Sequence, residues 1–393
     1  MPAARPTAPL APRDTTPERL LETLGAPAAD RDYRPGHARM AALLDAVAPR
    51  RPRLRIRVAG TNGKGSTAAM VAAGLRACGL RVGIYTSPHL HRFHERIRID
   101  DTEVDDDALL QTLARLIPTA RRVGASYFET ATAAALSLFS QARVDAEVLE
   151  AGVGARLDAT TAVEAEMALL TPVALDHQAW LGDTLREIAE EKAAAGDGCR
   201  WFCSAEQPPE AADLLRARHP RIRFVDADPT LTPAMEGAHQ QQNASLAMAA
   251  LDLLHREGWI AGDRERMRQT ICSVRLPGRL ERRTLRGATL WLDVAHNPHA
   301  VAALIDALPE PVDAALIYTR ADRSLADQAT LLRRRCATLI GADAAVWDRR
   351  IATPEQALKA ALADGARRLL LLGSFTSVAA ARRWLTAQSR KGQ

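Results

Sequence analysis

The sequence predicts an α/β protein with two domains, of which the first is the larger. Short apolar runs alternate with amphipathic helical patterns along the 393 residues, and such alternation is typical of parallel sheets covered by helices. The alternation stops at residues 276–279, LPGR, and then restarts. We therefore expect one domain over residues 16–278 and another over residues 279–393, with a hinge between them. Residues 1–15, rich in Ala and Pro, are expected to be a disordered N-terminus.

The spacing of apolar residues predicts the individual elements. In the first domain we expect helices over residues 16–24, 35–47, 66–78, 107–117, 128–139, 182–192 and 237–254, and strands over residues 56–59, 81–86, 145–149 and 168–175. Residues 196–220 are mixed in pattern and contain prolines. In the second domain we expect strands over residues 289–294, 314–319, 344–347 and 368–372, and helices over residues 299–308, 325–336 and 354–363.

A glycine-rich turn joins the first strand to a long helical pattern. Three glycines surround one lysine there, and two hydroxyl residues follow. Glycines let backbone N–H groups turn towards a polyphosphate, the helix start adds a positive dipole end, and the lysine and hydroxyls suit the outer phosphates and Mg²⁺. The sequence therefore predicts a P-loop for a nucleoside triphosphate such as ATP, consisting of Gly60, Thr61, Asn62, Gly63, Lys64, Gly65, Ser66 and Thr67. The alternative is a glycine-rich turn with an incidental lysine.

Lysine is rare in this chain. Of 52 basic residues, only Lys64, Lys192, Lys359 and Lys391 are lysines. A chain so rich in arginine favours lysine at positions that require an amine. This singles out Lys64 and Lys192. The alternative for Lys192 is that its positive charge only stabilises the negative end of the helix dipole.

Three polar residues follow predicted strands. Ser87, Glu150 and His177 each lie at or just after the carboxyl end of a strand, where α/β proteins bind their ligands. Magnesium prefers hard oxygen ligands, so these residues and Ser66 are candidate ligands. The alternatives are a solvated glutamate and a structural histidine.

Composition excludes several classes of protein. The net charge of +5 is diffuse and aromatic residues make up 4% of the chain, which does not favour nucleic-acid binding. Five cysteines without a CxxC pair indicate reduced thiols. No signal-peptide pattern and no run of eighteen apolar residues occurs. We expect a soluble cytoplasmic protein, a monomer, that binds small molecules and neither nucleic acid nor membrane.

Eight segments occur in a fixed order: AGTNGKGST, YTSPHLHRFHERIRI, EAGVGARLDATTAV, ALDHQAWLGDTLREIAEEKA, GAHQQQNA, LPGRLE, LDVAHNPHA and LLGSFTSV. In this combination, over residues 35–385, the chain resembles the folylpolyglutamate synthase and dihydrofolate synthase family of the Mur ligase superfamily. The resemblance implies a Mur-ligase-type ATPase domain and a Rossmann-like C-terminal domain that takes the glutamate. It implies an ATP-dependent ligase of folate biosynthesis and one-carbon metabolism. Such an enzyme activates a pterin-bearing carboxylate, dihydropteroate or a reduced folate, as an acyl phosphate and joins it to L-glutamate.

The resemblance also implies roles for individual residues. The magnesium ligands would be Ser66, Ser87, Glu150, His177 and Lys192, with Lys192 carried as a carbamate formed with CO₂. The nucleotide would also be held by Asn243, Arg279 and Asp293. The pterin substrate would be lined by Ser126, Tyr127, Phe128, Glu129, Leu157, Asp158 and Ala159. The incoming glutamate would lie near His296 and Ser374, and the catalytic residues would be Lys64, Lys192, His177 and His296.

The chain departs from the family pattern at a few places. Ala155 stands where glycine is usual, Thr161 where asparagine is usual, and residues 318–324 replace an acidic-lysine-acidic turn. These departures keep three alternatives open: dihydrofolate synthase activity alone, a related ligase for another carboxylic acid, and a nucleotide-binding regulator without turnover.

Overall fold

The structure is a computed structural model that describes residues 16–25 and 33–391. The segment 1–15, expected to be disordered, lies outside the described residues. The chain folds as two compact units. The first contains the residues up to Leu231 together with Asn243–Cys272, and the second contains Thr232–Gln242 and Ser273–Gln393. Within the described ranges, no helix has the length and apolar character needed to cross a membrane.

The first unit is built around one large sheet. Its strands are β1 (Leu54–Ala59), β2 (Val82–Tyr85), β3 (Ile97–Ile99), β4 (Thr102–Glu103), β5 (Ala146–Glu150), β6 (Met167–Leu170), β7 (Trp201–Ala205) and β8 (Arg223–Val225). They lie in the order β4-β3-β2-β5-β1-β6-β7-β8. In this spatial order, every neighbouring pair from β2 through β5, β1, β6 and β7 to β8 is parallel. The strands β3 and β4 add an antiparallel edge beside β2. The carboxyl ends of β2, β5, β1 and β6 therefore lie side by side.

Helices accompany these strands, and three of them, over residues 178–181, 209–218 and 264–273, were not predicted from the sequence pattern. They are α1 (Pro17–Glu22), α2 (Ala38–Val47), α3 (Lys64–Ala77), α4 (Asp106–Val123), α5 (Tyr127–Ala142), α6 (Gln178–Leu181), α7 (Leu185–Ala193), α8 (Pro209–Arg218), α9 (Ala238–Arg256) and α10 (Arg264–Ser273). Local caps fix several starts. The Asp105 carboxylate accepts hydrogen bonds from the first turn of α4, and the Thr184 hydroxyl accepts one from Glu187 N–H in α7. Such caps satisfy N–H groups that have no partner within the helix.

The second unit has a smaller sheet. Its strands are β9 (Glu281–Leu285), β10 (Ala288–Leu292), β11 (Val312–Ile317), β12 (Cys336–Gly341), β13 (Arg349–Arg350) and β14 (Arg368–Leu372), in the order β13-β12-β11-β14-β10-β9. All of these pairs except β9 with β10 are parallel. The helices are α11 (Pro298–Ala307), α12 (Ala329–Leu332), α13 (Pro354–Ala363) and α14 (Phe375–Lys391). The predicted fold class of two α/β domains is confirmed.

Two expected elements of the second unit are wrong. The helix expected over residues 325–336 is limited to a 3₁₀ turn and the short α12, and the strand expected over residues 344–347 is a turn. The strand is instead β12, whose Leu339 and Ile340 are buried beside β11. Trp347 had suggested a strand because it is apolar, but its ring packs against Gly341 and its Nε1–H donates to Asp343 Oδ1 at 3.1 Å. Long-range pairing overrides local pattern here.

Two buried charges on the central strands of the first sheet form an ion pair. Arg55 on β1 lies directly opposite Glu147 on β5, and its Nε donates to Glu147 Oε2 at 2.6 Å. The side chains are 6% and 1% exposed. Burial raises the pKa of Glu147, and the Arg55 guanidinium opposes that rise. The pair thus joins the two central strands that lead to the predicted P-loop and to Glu150.

We predict that Glu147→Ala lowers the free energy of unfolding by about 3–5 kcal/mol, because it leaves the Arg55 guanidinium buried without its carboxylate. Urea denaturation measures this effect. The matched control is Asp213→Ala, which breaks the exposed Arg216–Asp213 pair and is expected to change stability by less than about 1 kcal/mol. Equal urea midpoints for the two variants would contradict the prediction.

Candidate active site

The predicted P-loop begins directly after β1 and continues into the first turn of α3. β1 ends at Ala59, and α3 begins at Lys64, two residues before the position expected from the sequence. Gly60 and Gly63 have φ angles of 135° and 90°, a region that residues with a Cβ rarely adopt. The backbone N–H groups at the start of α3 and the helix dipole therefore meet at the turn that the glycines form, which suits an anion.

Close packing also requires the two glycines. A Cβ on Gly60 would lie 1.9 Å from Thr171 Oγ1, and a Cβ on Gly63 would lie 2.4 Å from Asn243 Oδ1. Asn243 is buried on α9. The structure therefore brings Asn243, predicted to hold the nucleotide, directly against the P-loop, although the two are far apart in sequence.

Thr61 ties the P-loop to the segment that follows β6. Its N–H donates to Pro172 O at 3.0 Å, its hydroxyl donates to Ala174 O at 3.1 Å, and the same oxygen accepts from Ala174 N–H at 3.0 Å. That segment continues directly to Asp176 and His177. The position of His177 is thus coupled to the P-loop through the backbone.

Both singled-out lysines reach the P-loop. Lys64 Nζ donates to Gly60 O at 3.3 Å and to Thr61 O at 3.0 Å, and Lys192 Nζ donates to Gly60 O at 2.8 Å. Lys192 lies near the end of α7 and is 2% exposed. Burial and the neighbouring ammonium of Lys64 lower the pKa of Lys192 to about 7, against the attraction of Asp176. The neutral form of this amine is therefore much more accessible near neutral pH than that of an ordinary lysine.

Ser87 and Glu150 meet at the carboxyl end of the sheet. Glu150 is the last residue of β5, and Ser87 follows the adjacent β2. The Ser87 N–H donates to Glu150 Oε2 at 3.0 Å, and Glu150 is buried. The contact brings a serine hydroxyl residue and a carboxylate together next to the end of β1.

His177 begins the short helix α6 with a left-handed backbone, φ 53°. Its N–H donates to Asp176 Oδ1 at 2.9 Å. Asp176 was not among the predicted site residues, yet it acts on the charge of Lys192. The sequence signal that could have identified Asp176 is its position directly before His177, just after the strand expected over residues 168–175.

The oxygen atoms of Ser66 and Glu150 are of the type that binds magnesium. The Ser66 hydroxyl and the Thr67 hydroxyl are buried and make no hydrogen bond, although a buried hydroxyl normally has a partner. A cation at Ser66 would supply one. Among the described residues no group of three or more His, Cys, Asp or Glu side chains is placed to hold a metal. The candidate donors are therefore mixed, with hydroxyls beside the Glu150 carboxylate.

The first segment expected to line the pterin is the start of α5. The Ser126 hydroxyl accepts from Glu129 N–H at 3.2 Å, and Glu129 Oε2 accepts from Ser126 N–H at 2.8 Å. Tyr127 and Phe128 are buried in the core cluster, where Phe128 lies against Gly152. The Tyr127 hydroxyl is buried and makes no hydrogen bond. This segment is therefore rigid, and much of it is structural.

The second segment, Leu157, Asp158 and Ala159, surrounds a buried carboxylate. Asp158 Oδ2 accepts from the N–H groups of Gly152 and Val153 at 3.0 and 3.1 Å. Its Oδ1 accepts from the N–H and the hydroxyl of Thr160 at 2.9 and 2.6 Å. Burial raises the pKa of Asp158, and these hydrogen bonds oppose the rise. Asp158 thus holds the whole loop that follows β5.

In the second unit, four predicted residues lie around β10 and α14. The buried Asp293 accepts from Leu280 N–H at 2.7 Å and from Ala295 N–H at 2.8 Å, and burial raises its pKa against the effect of Arg279. The Arg279 guanidinium lies over the Phe375 ring at 5.6 Å. His296 Nδ1 donates to Val294 O at 2.8 Å. The Ser374 hydroxyl is buried and donates to Tyr318 O at 2.8 Å.

Comparison with known proteins decides the family. The chain is 30% identical over 336 residues to the folylpolyglutamate synthase of Lacticaseibacillus casei, covering 75% of this chain and 78% of that protein. The chain belongs to the dihydrofolate synthase/folylpolyglutamate synthase family. It is also 35% identical over 274 residues to the dihydrofolate synthase/folylpolyglutamate synthase of Escherichia coli (strain K12). This match spans 64% of either chain, so part of that relative's length has no counterpart in the alignment.

A solved structure extends the similarity. The fold is similar to that of E. coli FolC in complex with DHPP and ADP, with a TM-score of 0.82 and 27% sequence identity, over 98% of this chain and 100% of that chain. The chain matches no protein-family model. The resemblance stated from the eight sequence segments is thus confirmed.

We predict that Gly63→Ala weakens ATP binding at least about tenfold, because the new methyl group collides with Asn243 and the backbone is strained at positive φ. Isothermal titration calorimetry measures the affinity. The control is Gly79→Ala, which has φ 82° at the other end of α3 but open space around its Cβ. If both variants bind ATP like the wild type, the packing of the P-loop against Asn243 does not matter for the nucleotide.

Proposed function

We propose that this protein is an ATP-dependent ligase that joins a pterin-bearing carboxylate, dihydropteroate or a reduced folate, to L-glutamate. The observation that carries the proposal is the arrangement of the P-loop, with Asn243 against Gly63 and two lysine amines on the Gly60 carbonyl. Family membership supports the choice of reaction. In this proposal the protein acts in the cytoplasm in folate biosynthesis.

The reaction is proposed to proceed in two steps. A carboxylate oxygen of the acceptor attacks the γ-phosphorus of ATP, the bond to the β-phosphate oxygen breaks, and ADP leaves. The amine of glutamate then attacks the acyl carbon, and phosphate leaves as the amide forms. Both partners of the first step are anionic, so the main work of the protein is to orient them and to offset their charge. Lys64, the P-loop N–H groups and the start of α3 supply this positive potential.

Magnesium fits the same site. Ser66, Ser87, Glu150 and His177 are the proposed ligands, and the hydroxyl of Ser66 lacks a hydrogen-bond partner in the structure. When bound, Mg²⁺ neutralises phosphate charge. Glu150 is held by the Ser87 N–H and therefore keeps a fixed orientation.

Lys192 is proposed to be a carbamate in the active enzyme. An amine can add CO₂ only in its neutral form, and burial with the nearby Lys64 lowers the pKa of Lys192 to about 7. The product would be a carboxylate, a ligand type that suits Mg²⁺ and that an arginine side chain does not form. Its negative charge would also lie next to the Lys64 ammonium, an attractive arrangement.

Residues of the second unit keep their predicted roles in this proposal. Arg279 and Asp293 would contact the nucleotide, and His296 and Ser374 would lie near the glutamate. Arg279, His296 and Ser374 each contact a neighbouring ring or carbonyl oxygen, and these contacts orient their side chains. Oriented side chains of this kind suit the binding of a ligand.

The decisive experiment measures ADP release with each substrate omitted in turn. We expect release that requires both L-glutamate and an acid, with dihydropteroate and tetrahydrofolate assayed in parallel. Activity with dihydropteroate alone would identify a dihydrofolate synthase without chain extension. Release that depends on neither substrate would refute the ligase proposal, and release only with another carboxylic acid would identify a related ligase.

We predict that Lys192→Ala and Lys192→Arg lower kcat/KM at least about 100-fold. Bicarbonate or a short carboxylic acid is expected to restore part of the activity of Lys192→Ala, where space is left, and not that of Lys192→Arg. Steady-state ADP release measures both effects, with the exposed Lys359→Ala as the lysine control. Intact-mass spectra of the wild type in bicarbonate should show one added CO₂, more above pH 7 than below it. No added mass together with no rescue would disprove the carbamate.

A further inference from the structure

The start of α2 contacts one of the segments that are proposed to line the acceptor and a residue just beyond the other. We call residues 126–129 and 157–159 the acceptor segments. His37, directly before α2, contacts Thr161 just beyond the second segment, and Arg39 in α2 contacts Glu129 in the first. Neither residue belongs to the P-loop or to the proposed metal ligands. One short piece of chain therefore holds both sides of the proposed acceptor site.

The contact with Thr161 closes the loop that carries Asp158. The Thr161 hydroxyl lies 2.6 Å from Ala155 O and 2.7 Å from Asp158 O. Asp158 N–H donates to the same Ala155 oxygen at 3.1 Å. Two of the positions at which the sequence departs from the family pattern, Ala155 and Thr161, are therefore in direct contact. Together they fix the backbone of the second acceptor segment.

The hydrogen-bond inventory decides which group donates to Thr161. A threonine hydroxyl has one hydrogen, and two carbonyl oxygens already compete for it. His37 Nε2 lies 3.1 Å from Thr161 Oγ1, so the ring nitrogen must be the donor and the hydroxyl oxygen the acceptor. His37 thus carries a hydrogen on Nε2, and it holds the loop from the side of α2.

The contact with Glu129 holds the other segment. Arg39 Nε lies 3.0 Å from Glu129 Oε1 and 3.1 Å from Oε2, and the Glu129 side chain is 6% exposed. Glu129 in turn accepts from the N–H and the hydroxyl of Ser126 at 2.8 and 2.9 Å. Before α2, Arg34 donates to Gly124 O at 2.6 Å. The start of α5 is therefore attached to the same turn that holds Thr161.

The acceptor segments are also connected to each other through Gly152. The Phe128 ring lies against Gly152, where a Cβ would be 2.7 Å from Cζ. Gly152 N–H donates to Asp158. A displacement of the loop carrying Asp158 would thus be transmitted to Phe128, because packed interiors resist continuous deformation.

We propose that His37, Arg39 and Thr161 are positioning residues for the acceptor acid, and that the first turn of α2 sets the separation of the two acceptor segments. The inference rests on the proposed function, since it takes these segments to bind a planar heterocyclic acid. The three residues do not touch the P-loop side of the site in any contact described above. Their removal should weaken binding of the acceptor and leave binding of ATP unchanged.

The test compares KM values for the two substrates in Thr161→Val, which removes the hydroxyl with little change of shape, and in Thr161→Ser, which retains it. We expect Thr161→Val to raise the KM for the acceptor about five- to tenfold, the effect of one lost hydrogen bond. The KM for ATP and kcat should stay within about twofold, and Thr161→Ser should behave like the wild type. The control is Thr230→Val, whose hydroxyl bonds Asp228 in an exposed turn.

A double-mutant cycle links His37 to the same effect. His37→Ala should raise the acceptor KM as Thr161→Val does, and the double variant should show little further loss because the two residues share one interaction. Arg39→Lys should also raise the acceptor KM, since it keeps the charge but loses the guanidinium geometry at Glu129.

The outcomes separate the inference from the function on which it rests. A wild type without acceptor-dependent ADP release refutes the proposed function. A wild type that is active, with a Thr161→Val variant that melts earlier but keeps both KM values, shows a purely structural role and overturns the inference. A parallel rise of the KM values for ATP and acceptor overturns it as well.

Discussion

The carbonyl oxygen of Gly60 is the point on which the candidate site depends. It accepts hydrogen bonds from Lys64 within the P-loop and from Lys192 on α7. Burial of Lys192 lowers the pKa of its amine, and the Lys64 ammonium on the same oxygen lowers it further. The same contact fixes α7 relative to the P-loop. The hydrogen bond from Lys192 to Gly60 O therefore both holds α7 in place and brings the Lys192 amine close to that of Lys64.

The parallel sheet explains why the other polar residues meet there. β5, β1 and β6 are neighbours, and β2 lies beyond β5. Their carboxyl ends deliver Ser87, Glu150, the P-loop and the segment leading to His177 to one edge. The buried Arg55–Glu147 pair sits lower on the two central strands. Each member of the pair lies at least three residues before the end of its strand. The ion pair that stabilises the strands is therefore separate from the candidate site at their carboxyl ends.

The proposed acceptor side is organised by different forces. Asp158 and Glu129 are buried carboxylates that use their oxygens to hold backbone, and not to face solvent. At Asp158, burial raises the pKa, and the surrounding hydrogen-bond donors oppose that rise. Rigid walls of this kind suit the recognition of a planar ring, because little conformational freedom is lost on binding. The first turn of α2 connects these walls.

Local pattern was enough to predict the alternation of strands and helices, the glycine-rich turn after β1 and the unusual placing of Lys64 and Lys192, and the eight ordered segments indicated the family. These are local properties, set by periodicity, turn chemistry and residue type. Three features emerged only from the folded structure: Asn243 lies against Gly63, the strand beside β11 is β12 and not residues 344–347, and His37 contacts Thr161, 124 residues away. Such contacts depend on how distant segments pack, and no local pattern encodes that packing.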